Sequence, residues 1–176
     1  MALTKLNFSG SGLSSLPNGS IVQTVKTVIT TPFTIALGQT TDTTVTGMTL
    51  NITPNFSNSI ILLTGQIMGE HTHPHNLMFT FFRDSTRLGH VDAGNRTVGI
   101  APFPITFDDN ANATPEFVYF SHHDEPSSTS QITYTVKGFT PESSSTTLFV
   151  NRTIGDTDNV SFERGTSFIM AQEIKV

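Results

Sequence analysis

Three of the six histidines fall at every second position in "GEHTHPHN", residues 69–76: His71, His73 and His75. Along an extended chain, positions i, i+2 and i+4 share one face. Three imidazoles on one face can bind zinc, nickel or iron. Successive positions lie ~6–7 Å apart, so a single chain makes a poor chelate. A threefold axis changes that: His71 and His73 from three chains would supply six nitrogens, a set suited to an octahedral transition metal. Pro74 interrupts the row and cannot donate to a strand ladder. The preceding run, "SIILLTGQIMG", ends at Gly69, which puts residues 71–75 in the connection between two strands. A solvent-facing row is the expectation there, with the metal ring as the alternative.

A second group is "SHHDEP", with His122, His123, Asp124 and Glu125. Imidazoles beside carboxylates are the material of general acid–base chemistry. No nucleophile stands at a known spacing, and the stretch runs into a Pro-Ser-Ser turn, so it reads as a solvated hairpin end. "DDNAN" and "GDTDN" resemble calcium loops, but the D-x-[DN]-x-[DN]-G order is not met. Their Asp and Asn residues are expected to serve turns. Asn-x-Ser/Thr sequons are frequent only because Ser and Thr are, so they carry little weight. No phosphate-binding glycine loop, G-x-S-x-G or H-E-x-x-H occurs.

Composition narrows the classes. At 176 residues the chain suits one domain with a real core. It has no cysteine, hence no disulfide or thiolate site. Only 13% of residues are charged, with 9 Lys+Arg against 14 Asp+Glu and no basic cluster. That argues against nucleic-acid binding. No apolar run reaches the ~18–20 residues of a membrane span, and "MALTKLNFSGSG" does not read as a secretory signal. Threonine makes up about one residue in six, and there are 14 phenylalanines and no tryptophan. Both enriched types favour pleated, half-buried surfaces.

The elements that must position these groups are therefore strands. Alternation or apolar runs mark "SIVQTVKTVITT", "TDTTVTGMTLNITP", "SIILLTGQIMG", "NLMFTFFRD", "STRLGHVDAG", "EFVYFSHHDE", "QITYTVKGFT", "STTLFVNRT" and "RGTSFIMAQEIKV". Val45, Met48, Leu50 and Ile52 fall near one face if Gly47 makes a bulge. "SIILLTGQIMG" is continuously apolar and reads as a strand buried on both faces. "RDST" is a tight turn of a hairpin over 76–92. Residues 94–115 form a long connection. Short strands with frequent turn signals predict an all-β chain, a β-sandwich of jelly-roll type, over 21–176. Residues 1–20 read as an irregular arm, punctuated by Gly10, Gly12, Pro17 and Gly19. Its Leu3, Leu6, Phe8, Leu13 and Leu16 are too apolar for a solvated linker and predict docking onto a partner.

Several stretches together carry a resemblance: Gly19-Ser20-Ile21, Ile52-Thr53-Pro54, Ser59-Ile60-Ile61, Arg83-Asp84-Ser85-Thr86, Asp124 with Pro126, Tyr134-Thr135-Val136, Asn151-Arg152 and Glu173-Ile174. In this order they resemble the tail-fibre-like structural proteins of tailed, often marine, bacteriophages, over about residues 17–176. The resemblance implies a β-rich virion component, assembled in the host cytoplasm, that forms a homotrimer and is mounted on tail or capsid. It supplies no catalytic residue and no cofactor, and the expectation is that the protein is not an enzyme. A chain with one knob and an arm over residues 1–20 then suits a short tail fibre held by that arm, with a capsid decoration protein as the alternative. The "HTHPH" row and the "APFPITF" loop depart from the pattern. Phe103 and Phe107 of that loop, with His122 and His123, are the candidates for contact with a host surface polysaccharide. A carbohydrate-binding module would need Phe103, Phe107, Tyr119 and Phe120 in place of tryptophan. A polysaccharide-cleaving enzyme would need paired carboxylates, drawn from Asp108, Asp109, Asp124 and Glu125 in predicted loops.

Overall fold

The computed structural model describes residues 12–39, 41–72, 77–89, 91, 93–104, 113–141 and 146–176. Among these residues a 3-10 turn at Leu13–Ser15 precedes eleven strands. They are β1 (Ile21–Ile29), β2 (Phe33–Leu37), β3 (Thr43–Ile52), β4 (Ile60–His71), β5 (Met78–Arg83), β6 (Thr86–Arg87), β7 (Ala101–Pro102), β8 (Glu116–Asp124), β9 (Ile132–Phe139), β10 (Thr146–Val150) and β11 (Ser167–Ile174).

Two sheets face each other. In the larger, β1 pairs β11, β2 pairs β10, and β4 lies between these and β8. One edge of β4 is shared, with β11 along residues 60–66 and β10 along residues 69–71. The smaller runs β3-β9-β5, and the far edge of β5 takes β6 at one end and β7 at the other. Counting β1/β2, β6/β7 and β10/β11 as one position each leaves eight, in spatial orders 1-8-3-6 and 2-7-4-5. All the ladders are antiparallel. This is the jelly-roll sandwich that the strand pattern predicts.

The core lies between the sheets and is built by alternation. Val45, Met48, Leu50 and Ile52 of β3 are all buried, and the register slips between Thr44 and Thr49 around Gly47, whose φ is 79°. That positive φ is the reason for glycine at the bulge. Phe79 and Phe81 of β5 meet Phe120 of β8 at ring distances of 6.2 and 4.9 Å, which joins the sheets through aromatic contacts.

Three expectations fail. "SIILLTGQIMG" is not buried on both faces: Ile61, Leu63 and Ile67 point into the core, while Leu62 and Met68 are only half-buried on the outside. The run is apolar because it supplies a core face and an apolar outer surface together. "STRLGHVDAG" forms only two strand residues before Leu88, whose backbone bonds Phe81 O. The long connection instead returns at β7 to the same edge of β5, where Ile100 N and Phe103 N donate to Phe79 O and Leu77 O. β2 is missing from the predicted strands: it does alternate, with Phe33, Ile35 and Leu37 on the core side, but it is only five residues long.

Candidate functional site

The chemistry-bearing residues fall into two groups, those used up inside the sandwich and those left on its surface. Glu173 of β11 is fully buried. Its Oε1 accepts from Asn55 N (2.7 Å), Phe56 N (3.1 Å) and Ser59 Oγ (2.7 Å). Its Oε2 accepts from Asn55 Nδ2 and Gln23 Nε2, both at 2.8 Å. The carboxylate thereby pins the turn between β3 and β4. Burial alone would raise its pKa, but these donors, Asn55 first among them, hold it below the ordinary 4.5.

At the β8 edge of the same sheet, Asp124 ends that strand and is buried. Arg83 Nη1 donates to its two oxygens at 2.9 and 3.1 Å, and Tyr134 Oη donates to Oδ2 at 2.6 Å. Burial, then this bond to a carboxylate, pushes the Tyr134 phenol far above its ordinary range. Asp84, at φ 51° in the β5–β6 turn, is tied to β9 through its N–H to Thr133 O and its Oδ1 from Thr133 N. Asn151, at φ 61° and buried, donates to Ile29 O at 2.8 Å and accepts from Ser167 Oγ at 2.7 Å. Ser59, Arg83, Asp84, Asp124, Tyr134, Asn151 and Glu173 are thus joints between elements.

The predicted site residues separate. His71 is not in the connection: it is the last residue of β4, paired with Leu148, and buried. Its ring stands edge-on to Phe103 at 5.2 Å, and Nε2 lies 3.3 Å from Pro104 O. His73 and His75 lie outside the described residues, as does Phe107. Among the described residues no three His, Asp or Glu groups are placed to hold a metal. Phe103 is not a surface contact: it is 4% exposed and packs on Phe79 as well as His71. Burying such a ring is worth ~1.5–3 kcal/mol, more than an outward contact could return while bound to nothing. Phe120 is likewise core. His122 is half-buried and His123 exposed, on successive β8 positions with rings 5.8 Å apart. Burial, then the His123 charge, lowers the His122 pKa from 6.5. Asp124 is in a strand and neutralised by Arg83, so it is no free carboxylate; Asp108 and Asp109 lie outside the described residues.

In the arm, Leu13 is exposed and Leu16 half-buried, while Leu3, Leu6 and Phe8 lie outside the described residues. Lys175 clamps the end of the arm: its Nζ donates to Ser14 O and Leu16 O, its N–H donates to Ser20 O, and its carbonyl accepts from Gly19 N.

What remains outside is a surface that the sequence did not flag, the outer face of the larger sheet. Across the strands its rows read Tyr119–Gln66–Phe168–Val28, Ser121–Thr64–Met170–Lys26 and His123–Leu62–Gln172–Thr24. Phe117 opposite Met68 closes one end, and Ile60–Ile174–Ile21 the other. Phe117 and Tyr119 are 63% and 59% exposed. Lys26 lays its ammonium 4.0 Å over the Phe168 ring. The loop after β10 covers one corner, where Glu70 Oε2 accepts from Ile154 N. A signal did exist: "FVYFS", "ILL" and "FIM" place large apolar residues at outward as well as inward positions. Two further clefts are open among the described residues: one of about 510 Å³ in the loop after β10, lined by Asp156, Asp158, Asn159 and Arg164, and one of about 440 Å³ on the smaller sheet's rim, lined by Arg87, Asn95, Arg96 and Phe139, where Arg87 is already bound to Val98 O and stacked on Phe139.

No family model matches the chain, and no curated protein sequence does. Among solved structures it is similar to the VP2 subviral particle of infectious bursal disease virus, at 15% identity and a TM-score of 0.40 over 89% of this chain and 39% of that one. It is also similar to the Gx strain structure of infectious bursal disease virus, at 14% identity and a TM-score of 0.34 over 89% of this chain and 39% of that one. The chain thus spans about two fifths of the length of the solved chains it resembles.

Proposed function

We propose that the chain is a structural protein of a bacteriophage particle, a trimeric knob of tail-fibre type held to the particle by residues 1–20. One observation carries this reading. Polar residues of the phage-like motifs, Ser59, Arg83, Asp84, Asp124, Tyr134, Asn151 and Glu173, are spent in joints that fix loops to the sandwich. Side chains spent in this way fix a rigid shape, which is what a particle component needs. The jelly-roll fold, and an outer sheet face that is apolar yet outward, support the same reading.

The test is to label the protein on purified particles by immuno-electron microscopy, for the full chain and for a form lacking residues 1–11. That deletion keeps the clamp at Lys175. The full chain should decorate tail tips or fibres, and the shortened form should be folded but absent from particles. Failure to find the full chain on particles would end the reading. Shortened protein at normal occupancy would end the role of the arm.

A further inference from the structure

We propose that the outer face of the larger sheet, centred on Tyr119, Phe168 and Met170, is where copies of this chain meet. The inference rests on the trimeric reading above and names its surface. A β-sheet face that looks outward normally alternates polar residues against the core face. Here β4, β8 and β11 put Leu62, Met68, Phe117, Tyr119, Phe168 and Met170 outside. An uncovered patch of that kind marks an interface.

Charge selects the partner. The chain carries 14 Asp+Glu against 9 Lys+Arg, so two copies bear like net charge. The three rows across this face hold no carboxylate, and their single ammonium, Lys26, already lies on Phe168. Two acidic molecules approach at least cost where neither presents acid.

Area agrees. The face is four strand positions wide, ~19 Å at ~4.8 Å each, and about 26 Å long from Ile60 to Met68 at ~3.3 Å per residue. Its flat footprint is roughly 500 Å². The relief of its side chains brings that toward the ~800 Å² each partner gives to a standard interface. The relief is also complementary in kind. Phe117 and Tyr119 stand out as a ridge, whereas Thr64, between them and Met170, is 3% exposed and floors a furrow. Exposed aromatic ridges seated in a partner's furrow are the usual anchors of such contacts.

The test compares masses of the full chain, of Phe117→Glu/Tyr119→Glu and of Val91→Glu by light scattering and sedimentation. Phe117 and Tyr119 are exposed, and so is Val91, beside Arg87 and Phe139 on the rim of the smaller sheet, so all three forms should keep the fold, checked by circular dichroism. The full chain and Val91→Glu should run near three times 19.1 kDa, and the double variant near one. Its dissociation constant should rise at least ~100-fold. A folded double variant with the parent mass overturns the inference while leaving the trimer intact. A monomeric full chain overturns both, and the particle-labelling experiment then still decides the virion role. If deletion of residues 1–11 gives monomers while the double variant stays assembled, the arm and not the face joins the copies, and the inference fails.

Discussion

Replacing Glu173 by glutamine should cost stability in a way that depends on pH. The side chain keeps its shape but loses its charge. An amide can turn its oxygen toward Asn55 N, Phe56 N and Ser59 Oγ, which face one carboxylate oxygen at 2.7 to 3.1 Å. Its NH2 must then face Asn55 Nδ2 and Gln23 Nε2, two donors at 2.8 Å. Two hydrogen bonds to a charged acceptor are lost, each worth ~1.5 kcal/mol or more, so about 3 kcal/mol is expected near neutral pH. For a domain of this size that lowers the melting temperature by ~6–12 °C. The carboxyl is held below 4.5 in the folded state, so the folded state binds its proton less readily than the unfolded one. The contribution is therefore complete above the unfolded value of 4.5 and fades as pH falls through the folded value. Chemical denaturation of parent and Glu173→Gln at pH 7, 5, 4 and 3 should show a gap that is constant at the upper two and closes at the lower. A gap below ~0.5 kcal/mol at pH 7, or one that stays constant down to pH 3, would refute the reasoning.

Asp124→Asn should destabilise by ~3 kcal/mol, because Arg83 and Tyr134 lose a shared buried acceptor, whereas Tyr134→Phe should cost only ~1 kcal/mol; urea midpoints compare them. If Tyr134→Phe costs as much as Asp124→Asn, the carboxylate is not the centre of the joint. Gly69→Ala should prevent folding or cost more than ~4 kcal/mol, since its Cβ would fall on the carbonyl oxygen of Phe149, a backbone atom that cannot swing away. Soluble expression and thermal melting check it, and a stable Ala variant would mean that β4 and β10 can separate.

The strands were legible where period and turn chemistry agreed. β3 shows its bulge in the spacing of Val45 and Met48 around Gly47, and β1, β8 and β9 begin and end within a residue or two of their sequence marks. The joints were not legible. Ser59 and Glu173 are 114 positions apart, and Arg83 and Asp124 are 41 apart, so no local pattern links them. They appeared only as scattered motif residues. His71 misled because the row was read by its polarity; the pairing of β4 with β10 continues past Gly69 and carries the first histidine into the core. Phe103 misled for a similar reason: a proline-flanked phenylalanine in a long connection looks exposed until β7 returns it to the edge of β5.

The clamp at Lys175 also decides how the molecule carries mechanical load. A pull on the chain ahead of Gly12 reaches the sandwich at the start of β1. Before it can lift β1 away, it must break the Lys175 contacts with Ser14, Leu16, Gly19 and Ser20. Behind them stands the register from Gln23–Glu173 to Ile29–Ser167, whose bonds lie across the strand axis. Tension along β1 therefore shears that ladder as a set and does not peel it bond by bond. The rupture force is therefore set by β1 and β11 together, and Lys175→Ala, which removes only the two Nζ bonds and keeps the backbone bonds to Gly19 and Ser20, should leave the force of the main release unchanged.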